Sequence, residues 1–141
     1  MQNRSPILTA HYLDKAAHFL GAMKLLADDV TAYRSSIGLL AIHSAISLND
    51  AIMAGVLGRR SKGDDHGTAA KELEKVCGLL KLENTKGIQH FIWLLGKKTE
   101  IAYSEHRLSN STLQLSVDKA ERFSNWAYTY FREVLRVEQE P

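Results

Sequence analysis

The sequence predicts an all-α protein, an antiparallel up-and-down bundle of about five helices in a single domain over residues 1–141, and three observations predict it. Only two prolines occur, Pro6 and Pro141, so nearly the whole chain lacks the residue that most reliably breaks a helix. Leucine (19) and alanine (15) together outnumber the β-branched Ile, Val and Thr (21), which favours helices over strands. Apolar residues also recur at three- and four-residue steps along most of the chain. A length of 141 residues is that of one domain with one core.

The first periodic segment begins at Thr9, in N-cap position, and runs to about Asp28, with Tyr12, Leu13, Ala16, Phe19, Leu20, Met23, Leu26 and Ala27 as its stripe. The second begins near Thr31 and stops about Leu57, where Gly58 and the run Arg59, Arg60, Ser61, Lys62, Gly63 follow. It is the longest segment and is apolar nearly all the way round. A third is expected from Thr68 to Leu82, on Ala70, Leu73, Val76, Cys77 and Leu80. After a turn at Asn84 to Gly87, a fourth runs from Ile88 to about Tyr103, with Gly96 a point of kinking. Ser104 to Leu115 reads as a polar loop, and Ser116 as the cap of a last helix on Val117, Ala120, Phe123, Ala127, Tyr130, Phe131 and Val134. Helices joined by short connections pack antiparallel.

Several function classes are excluded. A 45% hydrophobic, 24% charged chain is neither disordered nor a membrane protein in composition, and His43, Asn49 and Asp50 interrupt its most apolar window. The N-terminal residues carry His11, Asp14, Lys15 and His18 where an export signal needs an unbroken apolar stretch, and the lone Cys77 suits a reducing, cytoplasmic location. No two of the six histidines stand four apart and no Glu-x-x-His occurs, so no metal centre is expected. Asp64-Asp65-His66 reads as a helix-capping turn. Gly55, Gly58 and Gly63 precede no Gly-Lys-Ser/Thr, so no phosphate-cradling loop and no cofactor are expected.

Two constellations remain. Ser36, His43, Ser47 and Asp50 stand seven, four and three apart, within about 60° on one helix face. They form either an internally hydrogen-bonded strip or a lined groove. The second is basic. In an up-and-down bundle the loop after Gly58, the end of the fourth helix and the loop after Tyr103 share one end, which gathers Arg59, Arg60, Lys62, Lys97, Lys98 and Arg107. That rim reads as a solvated end or as a polyanion-binding surface. Lys98 and Asp50 fall at similar height and are expected to pair. The all-round apolarity of the second helix, with Trp93 off its own helix's inner stripe, predicts a homodimer in which a second copy covers what one layer leaves bare.

The run Phe91-Ile-Trp-Leu-Leu-Gly-Lys-Lys-Thr-Glu-Ile-Ala-Tyr, the Ala-rich second helix (Ala41, Ala45, Ala51, Ala54), the Asp65-His66 loop and the aromatic last helix resemble the HEPN domain, a small helical-bundle family, over about Leu8 to Val137. The resemblance implies either a metal-independent ribonuclease, built on an Arg and a His four to six positions later across a homodimer, or a non-catalytic accessory domain, sometimes beside a nucleotidyltransferase. Here Lys98 and Thr99 stand where the Arg and its polar neighbour belong, Tyr103 stands five after Lys98, and the nearest histidine is His106. Lysine lacks the planar fork that grips a phosphate, and a phenol is a poor base at neutral pH. The expected function is therefore a non-catalytic HEPN-like module that binds a nucleotide, RNA or a protein partner. The alternatives are a ribonuclease using Lys98, Tyr103 and His106, as the toxin of a toxin-antitoxin pair, and a structural helical adaptor.

Overall fold

In the computed structural model, which describes residues 4–62 and 66–136, Ser5 rather than Thr9 opens the first helix. The Ser5 hydroxyl accepts from the Leu8 N–H at 3.2 Å, and Pro6, with no N–H to leave bare, takes the first helical position of α1 (Pro6–Leu26). Thr9 is buried inside this helix, where its hydroxyl donates to the Ser5 carbonyl at 2.7 Å. A short 3-10 turn (Ala27–Asp29) leads to α2 (Arg34–Leu57), which stops where the sequence predicts. Gly58 adopts φ 77°, open to glycine at no steric cost, and its N–H closes the helix on the Ala54 carbonyl.

The remaining boundaries differ in instructive ways. α3 (His66–Leu79) ends three residues before the expected Leu82: Lys81 takes φ 56° and the N–H of Leu82 turns back to the Cys77 carbonyl at 3.0 Å. With lysine in the left-handed position usually held by glycine, no residue type announces the stop. The chain breaks beside Gly96, as expected, into α4 (Gly87–Gly96) and α5 (Lys98–Tyr103). The last long helix, α6 (Asn110–Tyr130), starts inside the expected polar loop. Ser109 is its cap, accepting from the Thr112 N–H at 3.1 Å, whereas Ser116 is fully buried and donates to the Thr112 carbonyl. Phe131 separates it from α7 (Arg132–Leu135). Gly63, Asp64 and Asp65, with the expected capping turn, lie outside the described residues, as does the side chain of His66.

The all-α bundle is what the contacts show, with no strand among the described residues. The Ser5 N–H donates to the Ala54 carbonyl at 3.0 Å and the Phe19 ring meets His43, so α1 and α2 are antiparallel. Phe91 stacks on Phe123 and Asn84 donates to the Tyr130 hydroxyl, so α4 and α6 are antiparallel too. α3 does not act as a fifth full-length helix. Glu72 ties it to the loop after α2, and the turn that follows it, with Leu80 and Leu82, adjoins Tyr130 to Val134. It therefore keeps to one end, and α2 and α6 point the same way.

α2 is the centre of this arrangement: sixteen of its 24 residues are buried, from Ile37 to Val56. It is long and apolar enough to cross a membrane by length and composition, yet most of it is inside the protein. Much of its apolar surface is covered by α1, α4, α5, α6 and α7 of its own chain, while Leu39, Leu40 and Ile46 stay partly exposed. Phe91, Phe123, Phe131, Met53 and Leu94 fill the interior, joined by Trp126, which lies outside the stripe read from the last helix.

Candidate functional site

The basic residues do not gather at one end. Arg59, Arg60 and Lys62 follow the C-terminus of α2, beside the Asp50–Ser61 hydrogen bond. Arg107 lies in the loop that joins the other end, where Arg34 donates to the Leu108 carbonyl at 2.9 Å. α5 with Lys98 packs there too, because a Cβ on Gly38 would fall 2.8 Å from Ile101 Cγ2 and glycine lets the two helices close. Between the two ends runs α2, roughly 36 Å long. The one-end assumption failed because both ends of α3 lie near the C-terminal end of α2, so that α4 sets out from that end and carries α5 to the other.

Two of the predicted rim cations are already engaged. Arg59 pairs with Glu72 at 2.9 Å and donates to the Arg60 carbonyl. Glu72 also accepts from the Ser61 hydroxyl at 2.7 Å and the Lys62 N–H at 2.8 Å, so this carboxylate pins the loop to α3. Burial works against its ionised form, but these partners outweigh it and hold it below the ordinary value. Lys97 pairs with Glu100 at 3.3 Å and sits 5.6 Å from the centre of the half-buried Trp93 ring.

The stripe on α2 splits in two. Ser36 and His43 are exposed, whereas Ser47 and Asp50 are buried. Asp50 accepts the Ser61 N–H at 2.9 Å, and the partner expected for it, Lys98, acts instead on His43. Burial raises the Asp50 carboxyl above its ordinary value; the Ser61 N–H, Arg60 and Lys15 pull the other way. A proton is thus held more tightly by Asp50 in the folded than in the unfolded chain. The stability it contributes is complete below pH 3.8 and is lost as pH rises through the folded value, so at neutral pH the buried charge is a cost. Asp50→Asn, which keeps an acceptor for Ser61, is expected to hold or raise stability at neutral pH. Asp50→Ala strands a buried N–H and loses about 1–3 kcal/mol. Denaturant unfolding of both variants checks the pair; equal losses would mean that the Ser61 bond is immaterial.

His43 stands on the open face of α2 with Leu39, Leu40 and Ile46 only partly covered around it. The Phe19 ring of α1 lies 6.0 Å from it, tilted by 55°. Lys15, one turn before Phe19 on the same face of α1, and Lys98, one turn before Ile101 on α5, bring charge to it from both sides. Burial, Lys98 and Lys15, in that order, lower its basicity below the ordinary value, so the imidazole is neutral at neutral pH. Lys15 acts on Asp50 as well, and Arg60 approaches Asp50 from the loop. Among the described residues none of Lys15, Lys98 and Arg60 is in an ion pair. Sequence reading missed Lys15; its only signal is a cation one helical turn from Phe19.

The remaining predicted residues stand apart. Tyr103 is 80% exposed at the end of α5, and the backbone of His106 is bound to the Ser104 hydroxyl in an exposed loop. No hydrogen bond joins either ring to Lys98 among the described residues. Cys77 is buried in the core, as expected, where burial pushes its thiol up to about 11. No protein-family model matches the chain, and no curated protein or solved structure matches it significantly.

Proposed function

We propose that this chain is a HEPN-like, non-catalytic binding module that engages a nucleotide or RNA on the open face of α2. One observation carries the reading: Lys15 from α1 and Lys98 from α5 act on His43 of that face, Arg60 from the loop after α2 acts on the buried Asp50 of the same helix, and none of the three is in an ion pair among the described residues. Unneutralised cations supplied by three elements along one seam are what a phosphate backbone recognises, through counterion release. The ribonuclease alternative asks for Lys98, Tyr103 and His106 to converge, and no hydrogen bond or ion pair among the described residues supports that.

The test is binding of fluorescent hexauridylate to the full chain. Affinity is expected to fall about tenfold between about 50 and 200 mM salt, and Lys15→Ala with Lys98→Ala to remove most of that dependence. Lys97→Ala, whose charge is already matched by Glu100, should stay within about twofold of the parent. The RNA is expected to be recovered intact. Equal affinity in the double variant would reject the α2 face, and cleavage abolished by His106→Ala would restore the ribonuclease.

A further inference from the structure

The binding reading leaves open why a histidine, and not a third lysine, occupies the middle of the seam. We infer that Lys15, His43 and Lys98 form a single seat for a phosphoryl oxyanion, and that occupancy draws one proton onto the His43 imidazole, so binding strengthens as the solution is acidified. This rests on the proposed polyanion face and assigns its seat and its regulation.

The geometry is independent of titration. Phe19 meets His43 and places Lys15 a turn away on the same α1 face; Ile101 closes on Gly38 and places Lys98 a turn away on α5. The His43 residue is exposed on α2. The charged groups that act on it are the two lysines, one from α1 and one from α5, and the next titratable group on α2 is Asp50, two turns on. In the empty seat burial and, after it, the two ammonium groups oppose a third positive charge, which agrees with the lowered basicity of His43. An oxyanion between them reverses the local field. A group that passes from like-charged to opposite-charged surroundings gains about one unit of basicity or more, and linkage returns that as about tenfold tighter binding below the transition. The proton comes from solvent and stays on the imidazole, so no bond of the ligand is broken.

The experiment uses hexauridylate, whose phosphodiesters keep their charge, at constant ionic strength and at about pH 8 and about pH 6, on either side of the ordinary histidine value. Inorganic sulfate, followed by the His43 ring resonances, tests the oxyanion without a strand. Wild type is expected to bind RNA about tenfold tighter at the lower pH, with sulfate moving the His43 titration upward. His43→Gln, an exposed change checked for unchanged thermal unfolding, should gain less than about twofold on acidification, whatever its affinity at the higher pH. A wild type indifferent to pH, a full gain surviving in His43→Gln, or a His43 titration unmoved by sulfate overturns the proton-linked seat while leaving the polyanion face standing. Absence of RNA binding at both pH values at low salt overturns both.

Discussion

Phe123→Ala is expected to lower stability by about 4 kcal/mol and the melting temperature by ~15 °C. Phe123 has no exposed surface and lies at the crossing of α4 and α6, stacked on Phe91 with ring centres 5.0 Å apart and on Trp126 at 5.8 Å. Truncation removes a ring's worth of buried area and leaves a cavity walled by two rigid aromatics, which cannot collapse into it as aliphatic chains do. Phe123→Leu should retain most of the stability. A loss under about 1.5 kcal/mol for the alanine variant, by denaturant unfolding, would show that α4 and α6 are not held by this stack.

Gly87→Ala is expected to cost about 3 kcal/mol although alanine is the better helix former. Gly87 is buried at the start of α4, and a methyl group there would overlap the Trp126 indole at Cδ2 and Cε3. The indole cannot step aside freely, because its Nε1–H donates to the Asn84 carbonyl at 3.0 Å and the ring is wedged against Phe123 and Phe131. Gly21, inside α1 with nothing near its missing Cβ, is the internal control: Gly21→Ala should gain about 0.5–1 kcal/mol. Opposite signs for the two substitutions check the packing; matching signs would mean that α4 can shift away from α6.

What the sequence by itself determined was everything that depends on neighbours within one or two turns. Apolar steps of three and four place the helices, Gly58 ends α2, Gly96 marks the break before α5, and the four polar residues of α2 do fall on one face, because these follow from helical geometry and backbone sterics alone. Boundaries set by a less common residue in the same role, Ser109 instead of Ser116 or Lys81 instead of a glycine, were not legible, since their conformations are imposed by what packs around them. The site divides along the same line. His43 and Lys98 were readable as candidates, but their partnership, the withdrawal of Asp50 to Ser61, the neutralisation of Arg59 and Lys97 by Glu72 and Glu100, and the arrival of Lys15 required the tertiary structure. Charge interactions act through space over several ångströms and are indifferent to sequence separation. Which cations met which acids was therefore decided only when α3 settled at one end of α2 and α1 and α5 closed on its two sides.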